Sequence, residues 1–267
     1  MLSLIRLIHW IRQLVGIWEN SNMFKLELRK SIRNRTLFYI VSTVMLSYVL
    51  GYILPVGIDK VNTLGLGYFY FSTYTVFTQF GFLIFGFVVV YFFNKDYSEK
   101  TILWNYFSGY QLVQYFYSKL FVLFIEFVVS IIFANIIVCL ILGFSNFYFL
   151  FSTIAFSIIV LQYLLIVGTI SVIFSNMLVS IGVSLAYWIT SIILVAVGGI
   201  FKYVAIFDAS NSLYHKVSDA MAKGIIQNFS PFYVILPYIL VLFIINYIYK
   251  KFHKKVVEKR SLIFHNI

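Results

Sequence analysis

Charged residues and cysteine are both scarce in this chain. Charged side chains make up only 11% of its 267 residues, against about a quarter in soluble domains. Once the long apolar stretches are set aside, no remaining segment is long enough to bury a separate water-soluble core. The single cysteine, Cys139, lies inside an apolar stretch. It therefore excludes an intrachain disulfide framework and a CxxC metal site.

Catalytic and ion-coupling machinery is also missing. No G-x-x-x-x-G-K-[ST] run occurs, so the chain lacks the phosphate-binding loop of an ATPase. An intramembrane protease or lipid transferase would need clustered carboxylates, histidine or a nucleophile at bilayer depth. Glu126 is the only acidic residue in an apolar stretch, and no histidine lies in one. An ion-coupled transporter would be expected to have repeated halves with paired charges, and the sequence has no convincing repeat.

What the chain does contain is six apolar stretches, each long enough to cross a bilayer. A spanning helix needs about 20 mostly apolar residues, and backbone groups in lipid must be paired within a helix. The predicted spans are Thr36–Leu54, Phe71–Phe93, Leu120–Phe144, Phe147–Phe174, Met177–Ile200 and Pro231–Tyr249. The predicted organisation is N-terminal helices over 1–35, a six-helix membrane domain over 36–249 and a basic tail over 250–267. The sequence thus predicts an all-α integral membrane protein.

Lysine and arginine are concentrated on one side of these spans. With the N-terminus inside, 16 of the 20 lie in cytoplasmic segments, and only Lys60, Lys202, Lys216 and Lys223 lie outside. This positive-inside bias predicts that both termini are cytoplasmic. The net charge of +11 is then explained by topology and anionic headgroups, and we expect no nucleic-acid partner.

Two helices are predicted before the first span. Residues 1–18 are interrupted by charge and lack a signal-peptide cleavage site, but they carry an apolar stripe on one helical face. That helix either lies in the membrane interface or packs on the bundle. Residues 22–35 repeat Phe24, Leu28 and Ile32 every four positions among basic side chains. We interpret this second helix as a solvated charged helix or as an elbow leading into the bilayer.

The large cytoplasmic connection after the second span, Asn94–Lys119, carries a helix-start signal. Asp96 and Glu99 have the spacing of a capping box. The apolar face of the predicted short helix consists of Ile102, Leu103, Tyr106 and Phe107, and Ser108 with Gly109 ends it. Such a helix either rests on lipid or docks into a groove of a soluble partner.

This connection resembles that of the ABC-2 type permeases, the membrane subunits of ATP-driven exporters. Members commonly carry an acid, three residues, Gly-Thr, then Ser-Arg, and a Lys just before the third span. This sequence supplies, in that order, Asp96, Thr101, Ser108 and Lys119. It departs at Lys100, where the family usually has Gly, and at Gly109, where Arg is usual.

The resemblance implies a type V exporter-like fold in a bacterial plasma membrane, with residues 96–109 as the coupling helix. The residues implied to couple to the ATPase are Asp96, Glu99, Thr101, Ile102, Leu103, Tyr106, Phe107 and Ser108. A separate ABC ATPase subunit would hold ATP and Mg²⁺, so this chain would bind no cofactor itself. A second permease copy or a related permease would complete the complex.

The external connection over 201–230 also predicts a helix. Ser212 can cap it, Leu213, Val217 and Met221 stack at intervals of four, and Gly224 ends it. Gly198–Gly199 could break the fifth span just before it. The helix either re-enters the bundle and roofs the transport path, as in ABC-2 exporters of similar layout, or lies on the outer leaflet. His215 and Asp219 are i,i+4 neighbours, but two ligands do not make a metal site.

Four polar residues inside the spans are candidates for the transport pathway: Glu126, Gln79, Asn135 and Gln162. Acidic residues at bilayer depth are costly and are functional candidates by default. Amides more often join helices by hydrogen bonds. Glu126 could equally reach the interface or bond to a neighbouring helix.

The predicted function is export of an amphipathic substrate by an ATP-driven complex. The aromatic content of 21% favours a pathway lined by rings. Small permeases of this length resemble those that export bacteriocins or give self-immunity to lantibiotic-like peptides, so we expect an amphipathic peptide. The alternatives are a lipid or lipid-linked glycan exporter, and a membrane immunity or sensor protein that binds a peptide without transporting it.

Overall fold

The computed structural model describes residues 21–58, 60, 64–99, 101, 112–224 and 234–248. Within these ranges all regular elements are helices, so the predicted all-α membrane fold is confirmed. In chain order they are α1 (Ser21–Arg33), α2 (Thr36–Ile58), α3 (Leu66–Ser98), α4 (Leu112–Leu142), α5 (Asn146–Phe174), α6 (Met177–Val197), α7 (Ser212–Lys223) and α8 (Val234–Ile248). A short 3₁₀ turn, Gly199–Tyr203, follows α6.

Helices α2 to α6 are the ones long and apolar enough to cross a bilayer in the described part of the chain. They correspond to the first five predicted spans, although α4 ends at Leu142 rather than Phe144 and α6 at Val197 rather than Ile200. α8 falls inside the predicted sixth span and is shorter as far as it is described. The turns between these helices are tight, with three residues between α4 and α5 and two between α5 and α6. The side chain of Asn176 caps α6 by accepting from the amides of Leu178 and Val179.

The centre of the bundle is formed by α3 and α5. α3 packs against α2, α5 and α6, and α5 also packs against α4 and α6. Aromatic rings fill the space between them, among which Tyr74, Phe77, Phe85, Phe93, Phe127 and Phe156 are fully buried. α2 and α6 bury the smallest share of their surfaces, as expected of helices at the edge of a bundle in lipid.

α1 packs on α4 and turns sharply into α2. Arg35 makes the turn in the left-handed conformation, with φ 56°. Of the apolar repeat, Phe24 and Leu28 are partly buried against the core, whereas Ile32 is 63% exposed. The completely buried positions of α1 are Met23, Glu27 and Ser31, also spaced by four. We call the end of the bundle where α1, the C-terminus of α3 and the N-terminus of α4 meet the elbow end.

The capping box predicted at Asp96 and Glu99 is wrong. α3 continues through Asp96 to Ser98, and Glu99 is the residue that follows it. Asp96 therefore lies in the last turn of a long helix, where its carboxylate accepts hydrogen bonds from side chains rather than from free backbone amides.

Several predicted features lie outside the described residues. They are the helix over 1–18, the tail over 250–267 and the coupling positions Ile102, Leu103, Tyr106, Phe107 and Ser108. We call residues 102–111 the α3–α4 connection.

After α6 the chain folds back along the bundle. α6 ends at Val197 because Gly198 and Gly199 take positive φ values of 87° and 63°. The hydroxyl of Tyr187 donates to the carbonyl oxygen of Val204 at 3.0 Å. Tyr187 lies roughly 15 Å down the helix from Val197 at 1.5 Å per residue, which is farther than a tyrosine side chain reaches. The connection therefore re-enters the bundle, as one of the two sequence interpretations proposed.

α7 follows this returning segment and packs on α3. Its cap is Asn211 rather than the predicted Ser212, since the Asn211 side chain accepts from the Leu213 amide at 3.1 Å. The predicted stripe is confirmed, with Leu213, Val217 and Met221 all buried. Gly224 ends the helix at φ 69°. The apolar face of α7 is thus covered by protein and does not lie on lipid.

Candidate functional site

Four charged side chains from α1, α3 and α4 meet at the elbow end. Lys30 Nζ lies 3.0 Å from Glu27 Oε1 and 3.1 Å from Asp96 Oδ2. Lys119 Nζ lies 3.0 Å from the same Asp96 oxygen and 4.0 Å from Glu27 Oε2. Two carboxylates and two ammonium groups make this ionic cluster neutral, which is the condition under which buried charges are tolerated.

Lys119 is the most deeply buried cation of the ionic cluster, at 1% exposure. Besides its ion pairs it donates to the carbonyl oxygen of Phe92 at 2.7 Å. The ammonium also lies 4.8 Å from the ring centroid of Phe92 and 4.9 Å from that of Tyr115, within the range of cation–π attraction. The Tyr115 hydroxyl donates to Asp96 Oδ2 at 2.9 Å. That single oxygen therefore accepts from Lys30, Lys119 and Tyr115.

Burial and neighbouring charges act in opposite directions on the pKa values of the two α1 residues of the ionic cluster, Glu27 and Lys30. Burial raises the pKa of Glu27 above its usual range, and attraction to Lys119 and Lys30 only partly offsets this effect. Burial acts to lower the pKa of Lys30, but the carboxylates of Glu27 and Asp96 outweigh it, so the pKa is raised. Lys30 is thus held in its charged form.

The ionic cluster fastens together the two helices that flank the α3–α4 connection. Asp96 stands at the end of α3 and Lys119 in the first turns of α4, and both were singled out by the motif. The Thr101 hydroxyl donates to the backbone carbonyl of Asp96 at 3.4 Å. Glu99 lies outside the ionic cluster, where it is 3.7 Å from Lys95. Of the predicted coupling residues that the structure describes, only Asp96 therefore enters the ionic cluster.

Sequence reasoning missed Glu27, Lys30 and Tyr115. A usable signal was present, because Glu27 is the only acidic residue among positions 22–35. Tyr115 carried no such signal, since tyrosine is abundant throughout the chain.

Glu126 makes a second polar link between α1 and α4. Ser31, one turn after Glu27 on the same face of α1, donates its hydroxyl to Glu126 Oε1. The other carboxylate oxygen of Glu126 has no hydrogen-bond partner among the described residues. The structure therefore places Glu126 in a helix contact at the elbow end, and its transport role stays a prediction.

The three in-span amides lie in different surroundings. Asn135 joins three helices, since it accepts from Tyr48 of α2 at 2.7 Å and donates to Ser152 of α5 at 3.0 Å. Gln162 is buried, and its carbonyl oxygen has no partner in the part of the chain that is described. Gln79 is half-buried, and its amide lies 3.4 Å from the Thr78 hydroxyl. Asn135 thus acts as an interhelical link, the role more common for amides in membranes.

At the opposite end of the bundle, α7 makes close contact with the first turns of α3. The rings of Tyr74 and Tyr214 stack with centroids 5.2 Å apart, and the hydroxyls of Thr75 and Tyr214 are 2.8 Å apart. A Cβ at Gly67 would lie 2.5 Å from the carbonyl oxygen of Ala222. Glycine at this position is what lets the two helix backbones approach.

Comparison with known proteins shows the family to which the chain belongs. The model of the peptide export permease protein YydJ family matches residues 24–262, a range that includes the whole ionic cluster and α7. A protein of Bacillus subtilis (strain 168), described as a probable peptide export permease protein YydJ, is 41% identical over 237 residues. The match covers 86% of this chain and 96% of that protein. No solved structure matches. The chain, a multi-pass membrane protein, belongs to the YydJ peptide export permease family.

Proposed function

We propose that this chain is the permease subunit of an ATP-driven exporter of an amphipathic peptide. Its family supports the permease role and the peptide substrate. The ATP would be hydrolysed by a separate ABC-type subunit, because the chain carries no phosphate-binding loop. The elbow end would face the cytoplasm, with both termini, and α7 would face the outside of the plasma membrane.

The observation that carries the proposal is the ionic cluster. Asp96 and Lys119 close the two ends of the α3–α4 connection with an ion pair of 3.0 Å, and Lys30 adds α1 at 3.1 Å. A force applied to the connection by a soluble subunit would therefore move three helices together instead of bending one loop. Such rigid-body movement is the usual basis of switching between transporter states.

The interior chemistry supports an amphipathic peptide over a small ion. The rings between α3 and α5 are buried against one another, so they would line a pathway once the bundle opens, and Glu126 is tied to α1. Aromatic faces offer apolar contact together with cation–π attraction for basic side chains. A bacteriocin-like peptide, exported or expelled for self-immunity, would present both apolar and basic side chains to such rings. Two permease copies, or this chain and a related one, would enclose the pathway.

The test is purification of the tagged chain from its host in mild detergent, followed by an ATPase assay of the eluate. We expect a soluble ATPase to accompany the wild-type chain and to be lost in Ile102→Asp and Phe107→Asp. Ile200→Asp is the matched control, because Ile200 is 85% exposed at the opposite end of the bundle and should keep the ATPase bound.

If the wild-type chain purifies alone and no ATPase activity appears, the exporter proposal is wrong. The non-transporting immunity or sensor alternative would then be preferred. If an ATPase is present but export of lipid rather than peptide depends on it, the lipid or lipid-linked glycan alternative holds.

A further inference from the structure

One helix, α3, runs from the contact with α7 at one end of the bundle to the ionic cluster at the elbow end. Its first turns hold α7 through Tyr74 and Thr75, and its last turn carries Asp96 of the ionic cluster. Between these ends the helix is not regular. Residues Val76–Phe80 form a π-helical turn, which begins directly after the two residues that hold α7.

A π turn contains one residue more than the α-helical turn it replaces, and it leaves carbonyl groups without their usual amide partners. Here those carbonyls are supplied with a donor from another helix. The hydroxyl of Tyr163 on α5 lies 2.8 Å from the carbonyl oxygen of Phe77 and 3.1 Å from that of Thr78. Tyr163 is 4% exposed, so water does not compete for these carbonyls.

The tyrosine reaches the π turn because the next residue is glycine. A Cβ at Gly81 would lie 2.6 Å from Cε2 of Tyr163, closer than side chains approach one another. Tyr163 is also positioned by Phe82, with ring centroids 5.1 Å apart in an edge-on arrangement. The ring and its hydroxyl therefore fit the π turn only while the turn keeps its present shape.

An α-helix advances about 100° per residue, since it has 3.6 residues per turn. Converting the π turn to regular α-helix would thus rotate the segment before it by about that angle relative to the segment after it. Tyr74 and Thr75 would turn away from Tyr214, and α7 would lose its contacts. The conversion would thus give the helix a second discrete arrangement, which is what a switching element requires.

We propose that the π turn of α3 is a register switch and that the Tyr163 hydroxyl is the latch that holds it in the state where α7 is seated. Movement at the ionic cluster would release the latch, and the outer part of α3 would rotate and free α7 from the exit of the pathway. This inference rests on the proposed function for its direction, but the latch itself is a property of the chain alone.

The experiment measures the distance from α7 to the bundle by double electron–electron resonance. Spin labels are attached in the full-length chain at Lys216→Cys and Asn146→Cys, both exposed positions, with Cys139→Ser removing the native thiol. The chain is reconstituted in lipid nanodiscs without nucleotide. Tyr163→Phe deletes only the hydroxyl. Gly81→Ala keeps the hydroxyl and displaces the ring of Tyr163 by placing a methyl group against it.

We expect one distance in the parent chain and a second, longer one in both variants. The released fraction should rise about fivefold to tenfold, the effect of losing roughly one net hydrogen bond. Tyr48→Phe is the matched control, because it also removes a buried tyrosine hydroxyl with a hydrogen bond of 2.7 Å. Its distance distribution should stay that of the parent.

Unchanged distributions in Tyr163→Phe and Gly81→Ala would overturn the latch, and so would an equal change in Tyr48→Phe. In the complex with the ATPase, trapping ATP should produce the same longer distance in the parent chain. If no ATPase associates, the proposed function fails, while the nucleotide-free comparison still decides whether the latch exists.

Discussion

Replacing Lys119 with methionine is expected to destabilise the protein strongly. Methionine keeps the apolar stem but removes the ammonium that lies 3.0 Å from Asp96 and 4.0 Å from Glu27. The two buried carboxylates would then share only Lys30, and the ionic cluster would carry one uncompensated negative charge. Removing one partner of a buried ion pair costs about 3–5 kcal/mol.

The accompanying double variant separates the charge effect from lost packing. In Lys119→Met with Asp96→Asn, the remaining pair of Glu27 and Lys30 is again neutral. We therefore expect the double variant to lose less stability than the sum of the two single variants, with a coupling energy of about 0.5–3 kcal/mol.

Thermal unfolding in detergent, followed by size-exclusion chromatography, measures these differences. One kcal/mol corresponds to roughly 2–4 °C in Tm for a chain of this size, so Lys119→Met should lower Tm by roughly 6–20 °C. Strict additivity of the single variants would refute the reasoning, because it would mean that the two charges do not depend on each other. A Lys119→Met chain as stable as the wild type would refute it as well.

Three further substitutions test other contacts. Gly67→Ala should displace α7, because the added Cβ would meet the carbonyl oxygen of Ala222 at 2.5 Å. The loss of about 1–3 kcal/mol in stability should appear as a lower Tm and as faster proteolysis within α7. Glu126→Gln should keep the Ser31 hydrogen bond and wild-type expression, so unchanged transport in this variant would exclude a transport role for the carboxylate. Asn135→Leu removes three interhelical bonds, to Tyr48, Ser152 and Thr153. At about 0.6 kcal/mol for each bond it should lower stability by about 2 kcal/mol, and a Tm within 1–2 °C of wild type would contradict the assigned role.

The membrane fold followed from the sequence because its signals are long and strong. Runs of apolar residues such as Phe147–Phe174 exceed the length needed to cross lipid, and the bilayer leaves no alternative to helix. The stripe of α7 was also predictable, since Leu213, Val217 and Met221 follow the 3.6-residue period. The cap was misplaced by one residue because Asn211 and Ser212 are both good capping residues.

The face of α1 could not be read in the same way. Periodicity assigns apolar residues to the buried side, and on that rule Ile32 should be covered. The buried positions include Glu27 and Ser31, whose partners on α4, Lys119 and Glu126, lie about a hundred residues along the chain. Apolar periodicity alone does not reveal a buried polar face, because each polar side chain is costly when buried alone and acceptable when paired.

Asp96 illustrates why the elbow end needed the structure. Its spacing to Glu99 fits a capping box, and in a soluble helix that began at Asp96 the carboxylate would not be buried. In the folded chain, Lys30, Lys119 and Tyr115 bring three donors to one carboxylate oxygen, so the Asp96 carboxylate is satisfied without capping a helix. The helix therefore runs on past Asp96, and the residue that local reasoning placed at a boundary becomes the meeting point of three helices.

The same continuity makes α3 a single element from the ionic cluster to α7, interrupted only by the π turn at Val76–Phe80. Any movement at one end must either pass through that turn or be absorbed by it.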